Sequence, residues 1–502
     1  MTTRDTTGDA VSGHSDRSEH ERMKNVRPPE WENPVPASRY DFVIVGAGST
    51  GLAAAHAAVA RGAKVALVER NLLGGTSLNI GCVPSKAIIR ASRVCAEISN
   101  AERYGVYVPP GARVDFSELM KRMRSVRARI SRVDSARELA ARGVDVFFDE
   151  ARFTERDSLS LGDATLRFKR ALIATGARPD TPASPGLAES GFLTNENLFE
   201  LTHLPRRLLV IGGGPFGCEM AQAFCRLGVH TTIVQNSPMF LPGEERDAAQ
   251  ILSDAFARDG LVARLDTTAV SVRRDGTEVV VDLVREDTRE TIVVDAILTG
   301  TGRLPNVDGL NLEAAGVAYD TTRGVHVDDF LRTANPRIYA AGDACLEYKF
   351  SDTAEASAHI AVSNALFRGR KRLSALTVPW CTYTDPEIAH VGLGVREARE
   401  RGIDIATFTV PMHDVDRAIV DSETTGFVKI HVMERTDRIL GATIVGSHAG
   451  EMISEITLAI VAGVGLERLA SVMHPYPTES GGIRQAADAF VLARHRAAGV
   501  AQ

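Results

Sequence analysis

The chain has 502 residues, with 64 Asp and Glu against 58 Lys and Arg, and a formal net charge of -6. That length excludes a peptide, a toxin scaffold or a single small module and predicts about three domains. The nearly balanced charge supplies no overall electrostatic reason to bind nucleic acid or an anionic membrane.

Six cysteines are too few for a disulfide scaffold and fit a reducing compartment, so a cytoplasmic location is expected. No stretch approaches about 18 uncharged apolar residues, so no transmembrane helix is predicted. Residues 1–39 read as a polar leader without the apolar core of a secretory signal. The leader is expected to be partly disordered and to order near residues 28–36.

The first strong pattern is DFVIVGAGSTGLAAAHAAVARGAKVALVER. A strand over 41–45 runs into Gly46, Gly48 and Gly51, a small-residue helix closes at Gly62, and a strand over 64–68 ends in Glu69. This is GxGxxG in strand–turn–helix context, with an acid 18 residues after the last glycine. Gly46 permits the tight turn, Gly48 lets backbone approach a pyrophosphate, and Gly51 lets helix and strand pack closely. Free N–H groups at the helix start suit phosphates, and Glu69 can accept from a ribose hydroxyl.

The second segment, GGTSLNIGCVPSKAIIRASR, sets Gly74, Gly75 and Gly81 around Cys82, with Lys86 four residues on. A cysteine at a helix N-terminus with a cation nearby is a reactive-thiol environment. Cys95, Cys218, Cys225 and Cys381 are expected to pack in cores, and Cys345 to be structural. No CxxC pair or Cys/His cluster stands at ligand spacing, so no metal is predicted.

The nucleotide pattern returns in RLLVIGGGPFGCEMAQAFCRLGVHTTIVQN. Gly212, Gly214, Gly217, Gly228 and Gln235 each lie 166 residues after Gly46, Gly48, Gly51, Gly62 and Glu69. Two dinucleotide units imply a redox flavin facing a nicotinamide. Gln235 removes the acid that favours NADH, yet no Arg or Lys follows within ten residues, so NADPH or NADH stays open.

Further along, RALIATGARP and AILTGTGRLPN are apolar runs ending in turns around Thr175-Gly176 and Gly302-Arg303. RIYAAGDAC stops at Gly342-Asp343, where Asp343 either bonds a cofactor polyol or caps a helix. From about Val378, strand-like segments precede helical ones, which predicts a separate α+β domain.

Taken together, VIVGAGSTGLAAA, GGTSLNIGCVPSK, ALIATGARP, VIGGGPFGCEMAQAF, GTGRLPN, IYAAGDA, YTDPEIAHVGL and MHPYPT resemble the pyridine nucleotide–disulfide oxidoreductases. The similarity runs over about residues 40–490 and is strongest to the mercuric reductase and dihydrolipoamide dehydrogenase branch. It implies an α/β fold with two Rossmann-like domains and a C-terminal α+β dimerisation domain. The FAD domain would span 40–187 and 305–375, the NAD(P) domain 188–304, and the dimerisation domain 376–502. It also implies a homodimer whose site borrows residues from the partner. Cys82 matches the flavin-proximal thiol, Lys86 the lysine near the flavin, and Glu219 its acidic partner. Gly75, Thr175, Gly176, Gly302, Arg303, Gly342 and Asp343 join the cofactor-binding set.

Three departures stand out. Ser77 occupies the position of the first redox cysteine, and a hydroxyl cannot form a disulfide. The H-P-T-x-x-E ending becomes Tyr476-Pro477-Thr478 with Gly481 in place of the acid; Tyr476 remains a candidate catalytic residue. Glu479 and His474 lie nearby. The chain ends without the paired cysteines that the resemblance implies for mercuric reductases.

The leading expectation is an FAD-dependent NAD(P)H oxidoreductase that passes electrons to an unidentified small-molecule acceptor without an intramolecular disulfide. The alternatives are reduction of mercury(II) or a disulfide through Cys82, and a non-enzymatic flavoprotein.

Overall fold

The computed structural model describes residues 9–497 and 499, with side chains from residue 17 onward. Its central sheet is built by the first nucleotide unit. The strands Tyr40–Val45 and Val65–Glu69 pair in parallel, Val144–Phe148 joins beyond the second, and Ala164–Ile173 joins beyond the first. Ile338–Ala340 completes the parallel part against Ala164–Ile173. Phe42 and Ile44 bury one face and Val43 and Val45 the other, the two-sided apolar pattern of a covered parallel sheet.

The second unit makes its own four-stranded parallel sheet, from Arg207–Ile211, His230–Val234, Val262–Arg264 and Ala296–Thr299. An antiparallel three-stranded sheet, Thr268–Asp275, Glu278–Arg285 and Thr288–Val294, is inserted within it. The chain enters and leaves this unit through a short antiparallel ribbon. Ala177–Pro179 pairs with Arg303–Pro305, so Pro179 faces Arg303.

After residue 378 a five-stranded antiparallel sheet forms a third core, with the helices Ala449–Ala462 and Gly481–Ala497 packed on it. No helix among the described residues is long and apolar enough to cross a membrane.

The leader departs from expectation. Asp9–Val26 is a helix, and its described side chains are anchored. Val26 joins the apolar core. Arg22 donates to Asn79 Oδ1 at 2.5 Å and pairs with Glu19. Trp31 Nε1 donates to the Val146 carbonyl and its ring meets Phe148 edge-on. Residues 1–8 lie outside the described set. The polar composition concealed this order because charged partners and a few apolar anchors hold the segment, not an apolar stripe. By gripping Asn79, the helix also braces the short helix Gly75–Asn79 that carries Ser77.

Candidate active site

The two glycine loops are cradles that a side chain would fill. At Gly46, with φ +101°, an added Cβ would fall 2.4 Å from the Ala174 carbonyl oxygen. At Gly75 it would fall 2.6 Å from the Gly48 Cα, so these two backbones touch where a pyrophosphate would lie. The helix Ser49–Val59 begins after Gly48 with no side-chain cap, leaving its first N–H groups free for an anion. The helix Pro215–Arg226 begins after Gly214 in the same uncapped way. Gly212 carries φ +109°, and at Gly217 a Cβ would fall 1.9 Å from the Gly212 carbonyl.

The residues ending each second strand are also equivalent. Glu69 Oε2 accepts from the Ala47 N–H at 2.8 Å, and Gln235 Oε1 accepts from the Gly213 N–H at 2.9 Å. Burial raises the Glu69 pKa, against the lowering effect of the Ala47 and Asn71 N–H groups. Each carboxylate oxygen has a second lone pair, so ribose hydroxyls still find acceptors there.

Asp343 sits in the short turn Gly342–Ala344 and caps no helix; Phe350 stands at the start of the next one. The capping alternative therefore falls. Burial raises the Asp343 pKa, opposed by Arg303 at 3.4 Å. Arg303 also donates to the Ala177 carbonyl at 2.7 Å, and its buried Nε has no partner. A half-buried carboxylate beside an unsatisfied guanidinium N–H fits a bound polyol diphosphate such as FAD. Thr175 Oγ1 donates to the Asn306 carbonyl, and the Asn306 N–H donates to Gly176, locking the turn below this pair.

Cys82 is the first residue of the helix Cys82–Ser99 and is exposed. Ser77 is brought beside it through hydroxyls. Ser49 Oγ donates to Ser77 Oγ at 3.0 Å; Ser77 Oγ lies 2.6 Å from Ser351 Oγ, which lies 3.4 Å from Cys82 Sγ. All six cysteines are free. Burial pushes the Cys345 thiol up, and its Sγ contacts the Gly342 carbonyl. Burial also raises the thiols of Cys95, Cys218 and Cys225, the last to about 11.

One turn into the same helix, Lys86 Nζ reaches both oxygens of Glu219, at 3.1 and 2.8 Å. Glu219 is buried while Lys86 is about a third exposed. The Tyr383 N–H donates to Glu219 Oε1 at 2.9 Å, and Lys86 Nζ lies 4.6 Å from the Tyr383 ring centroid. The helices Cys82–Ser99 and Pro215–Arg226 and the loop after Pro379–Thr382 thus meet at one ion pair. Sequence reasoning missed Ser49, Ser351 and Tyr383. Tyr383 opens the YTDPEIAHVGL run but acts through its backbone N–H, which side-chain identity does not record; the two serines are distant in sequence from Ser77.

Tyr476 stands apart from this cluster. It is exposed, and its hydroxyl donates to Asp416 at 2.9 Å. Glu479 and His474 do not pair with each other: Glu479 binds His448 at 3.1 Å and His474 binds Glu455 at 2.9 Å. Glu479 lines a cavity of about 300 Å³ with His448, Arg417 and Met452. No cluster of metal-ligating side chains occurs among the described residues.

Comparison with known proteins agrees with this architecture. Residues 40–365 match the pyridine nucleotide-disulphide oxidoreductase family, and residues 378–487 match its dimerisation domain. A mercuric reductase of Staphylococcus aureus is 35% identical over 462 residues, covering 91% of this chain and 84% of the relative. A dihydrolipoyl dehydrogenase of Thermus scotoductus is 33% identical, covering 90% of this chain and 97% of the relative. The crystal structure of LpdA from Mycobacterium tuberculosis superposes with a TM-score of 0.82 at 29% identity, covering 90% of this chain and 100% of that one.

Proposed function

The chain belongs to the pyridine nucleotide-disulphide oxidoreductases, enzymes that use FAD and NAD(P)H, and from that premise we propose an oxidoreductase whose electrons leave without an intramolecular redox disulfide. The observation that carries this reading is Ser77, whose hydroxyl lies 2.6 Å from the Ser351 hydroxyl that contacts Cys82. A hydroxyl there can donate or accept a hydrogen bond, but it cannot exchange with a thiol.

Bound FAD supplies acceptance of a hydride from the nicotinamide and release of electrons to a second substrate. The chain's own residues hold and orient the reactants. Gly46, Gly48 and Gly75 would let backbone close on the FAD pyrophosphate, Glu69 would accept from its ribose, and Asp343 with Arg303 would hold its polyol side. Gly212, Gly214 and Gly217 repeat the cradle for the nicotinamide dinucleotide, beside Gln235. Glu219 fixes the Lys86 ammonium, a positive charge placed at the meeting of the two domains. Cys82 keeps a thiol at the same helix end. In a homodimer built through residues 378–487, exposed Tyr476 is offered to the partner's cleft.

Anaerobic titration of the FAD-loaded protein with NADPH, and separately NADH, tests the reading. Bleaching complete at about two electrons per FAD supports it. Uptake of about four electrons per FAD, with a long-wavelength band at the midpoint, overturns it by revealing a second redox centre. The exposed Cys82 thiol favours a second reading, reduction of mercury(II) or of a disulfide. Turnover dependent on mercury(II) or lipoamide separates the two.

A further inference from the structure

We propose that Tyr348, Phe350 and Trp380 form a docking site for a planar aromatic electron acceptor of the quinone class, with the Glu244 carboxyl at its edge. The proposal rests on the reading above and gives its acceptor a chemistry and a place.

The three rings are nearly parallel. Tyr348 and Phe350 lie 6.5 Å apart at 19°, Tyr348 and Trp380 5.9 Å apart at 21°, and Phe350 and Trp380 6.2 Å apart at 11°. Other pairs in this chain meet edge to face, as Trp31 meets Phe148 and Phe153 meets Phe168; offset-parallel rings are the other favoured arrangement. Three rings in one orientation suit a flat π system added to the group. Tyr348 is exposed, so the group opens to solvent. The His390 ring packs against Trp380, 4.5 Å away between centroids.

The placement ties this surface to the redox cluster from two sides. Phe350 directly precedes Ser351, the residue that contacts both Ser77 and Cys82. Trp380 lies in the strand Pro379–Thr382, which leads into Tyr383 and its bond to Glu219.

Glu244 supplies the polar group that a quinone needs. Its Oε1 accepts from Trp380 Nε1 at 2.5 Å, while its Oε2 is buried without a partner. Burial, reinforced by the neighbouring Glu245 charge, raises its pKa to about 7, against the Trp380 hydrogen bond. Glu245 itself pairs with Lys429 and contacts His431 at 3.0 Å. A carboxyl that is substantially protonated at neutral pH can donate to a carbonyl oxygen. The overall reaction balances as NAD(P)H + H⁺ + quinone → NAD(P)⁺ + quinol. The hydride of NAD(P)H carries both electrons and one proton; the second proton comes from the medium by way of Glu244, and both carbonyls become hydroxyls.

The test is direct binding. Trp31→Phe leaves Trp380 as the sole tryptophan of the two in the chain. Oxidised, FAD-loaded protein is titrated with menadione in the absence of nicotinamide, and tryptophan fluorescence is followed. Saturable quenching is expected, weakened roughly five-fold by Tyr348→Ala through loss of one ring contact. In turnover, the same substitution raises the KM for menadione more than that for ferricyanide, which has no ring to stack. Quenching that stays linear in menadione overturns the proposal. So does a Tyr348→Ala variant in which the NAD(P)H KM rises and the menadione KM does not, since the rings would then serve the nicotinamide. A four-electron titration would sink the earlier reading while leaving the quenching isotherm intact, so the two failures are distinguishable.

Discussion

The two nucleotide units share a backbone and differ in charge at one matched side chain. Gly46 and Gly212 turn with φ of +101° and +109°, and Gly51 and Gly217 each leave no room for a Cβ beside the carbonyl of that turn. Glu69 and Gln235 both accept an N–H from the loop after the first glycine. Glu69 spends its other oxygen on the Asn71 N–H, whereas Gln235 donates its amide to Ser237 at 2.7 Å. The comparison teaches that tying the loop and carrying a negative charge are separable tasks of one position. A carbonyl oxygen does the first; only the acid does the second.

The strongest way to break the comparison is to fill the cradles. A Cβ at Gly51 would stand 1.8 Å from the Gly46 oxygen, and one at Gly217 would stand 1.9 Å from the Gly212 oxygen. Neither backbone can yield without losing its turn. Gly51→Ala is expected to yield protein without flavin absorbance. Gly217→Ala is expected to keep the flavin but to leave it unbleached by NAD(P)H. Flavin loss in both variants would show that the units do not act independently.

The seam between the units comes next. Lys86→Met leaves the Glu219 carboxylate buried with only the Tyr383 N–H as partner. Because Lys86 is about a third exposed, the expected loss is about 2 kcal/mol, below the range for a fully buried pair. Urea unfolding measures it, and an unchanged midpoint would remove the pair from the docking of the two domains.

Gln235→Glu restores the acid. It is expected to move the kcat/KM ratio roughly ten-fold toward NADH, about 1.4 kcal/mol, by repelling a 2′-phosphate. An unchanged ratio would place the discrimination elsewhere in the second unit. The converse change, Glu69→Gln, is the gentlest. Burial raises the Glu69 pKa in the folded chain, so the unfolded chain ionises first as pH rises. Wild-type apoprotein stability is therefore expected to decline from about pH 4.5 up to the shifted value. Glu69→Gln should remove that decline, as seen in apoprotein unfolding across the same pH range.

Much of this site was legible because its determinants are local. Glycines at fixed spacing set turns within a few residues, and the 166-residue offset carried the pattern from one unit to the next. Cys82 and Lys86 share one helix, so their placement followed from spacing alone. Glu219 meets Lys86 across 133 positions, and only the family resemblance anticipated that pair. The Tyr383 contact uses backbone, and the Ser351 contact joins residues 274 positions from Ser77; neither leaves a mark in sequence. The antiparallel insert at 268–294 and the ordered leader were hidden for related reasons. Half-exposed strands and a charged helix owe their order to partners elsewhere in the chain.

The ribbon that joins the second unit to the first also sets an order of assembly on the ribosome. The first sheet opens at Tyr40 but is not complete until Ile338–Ala340 pairs with Ala171–Ile173. The inserted sheet opens at Arg207 and closes when Ala296–Thr299 pairs with the strand Arg207–Ile211. The domain begun second is therefore finished first. During synthesis the nascent first domain must wait, one strand short, while the whole insert emerges, and the apolar edge of Ala164–Ile173 is exposed to chaperones for that interval.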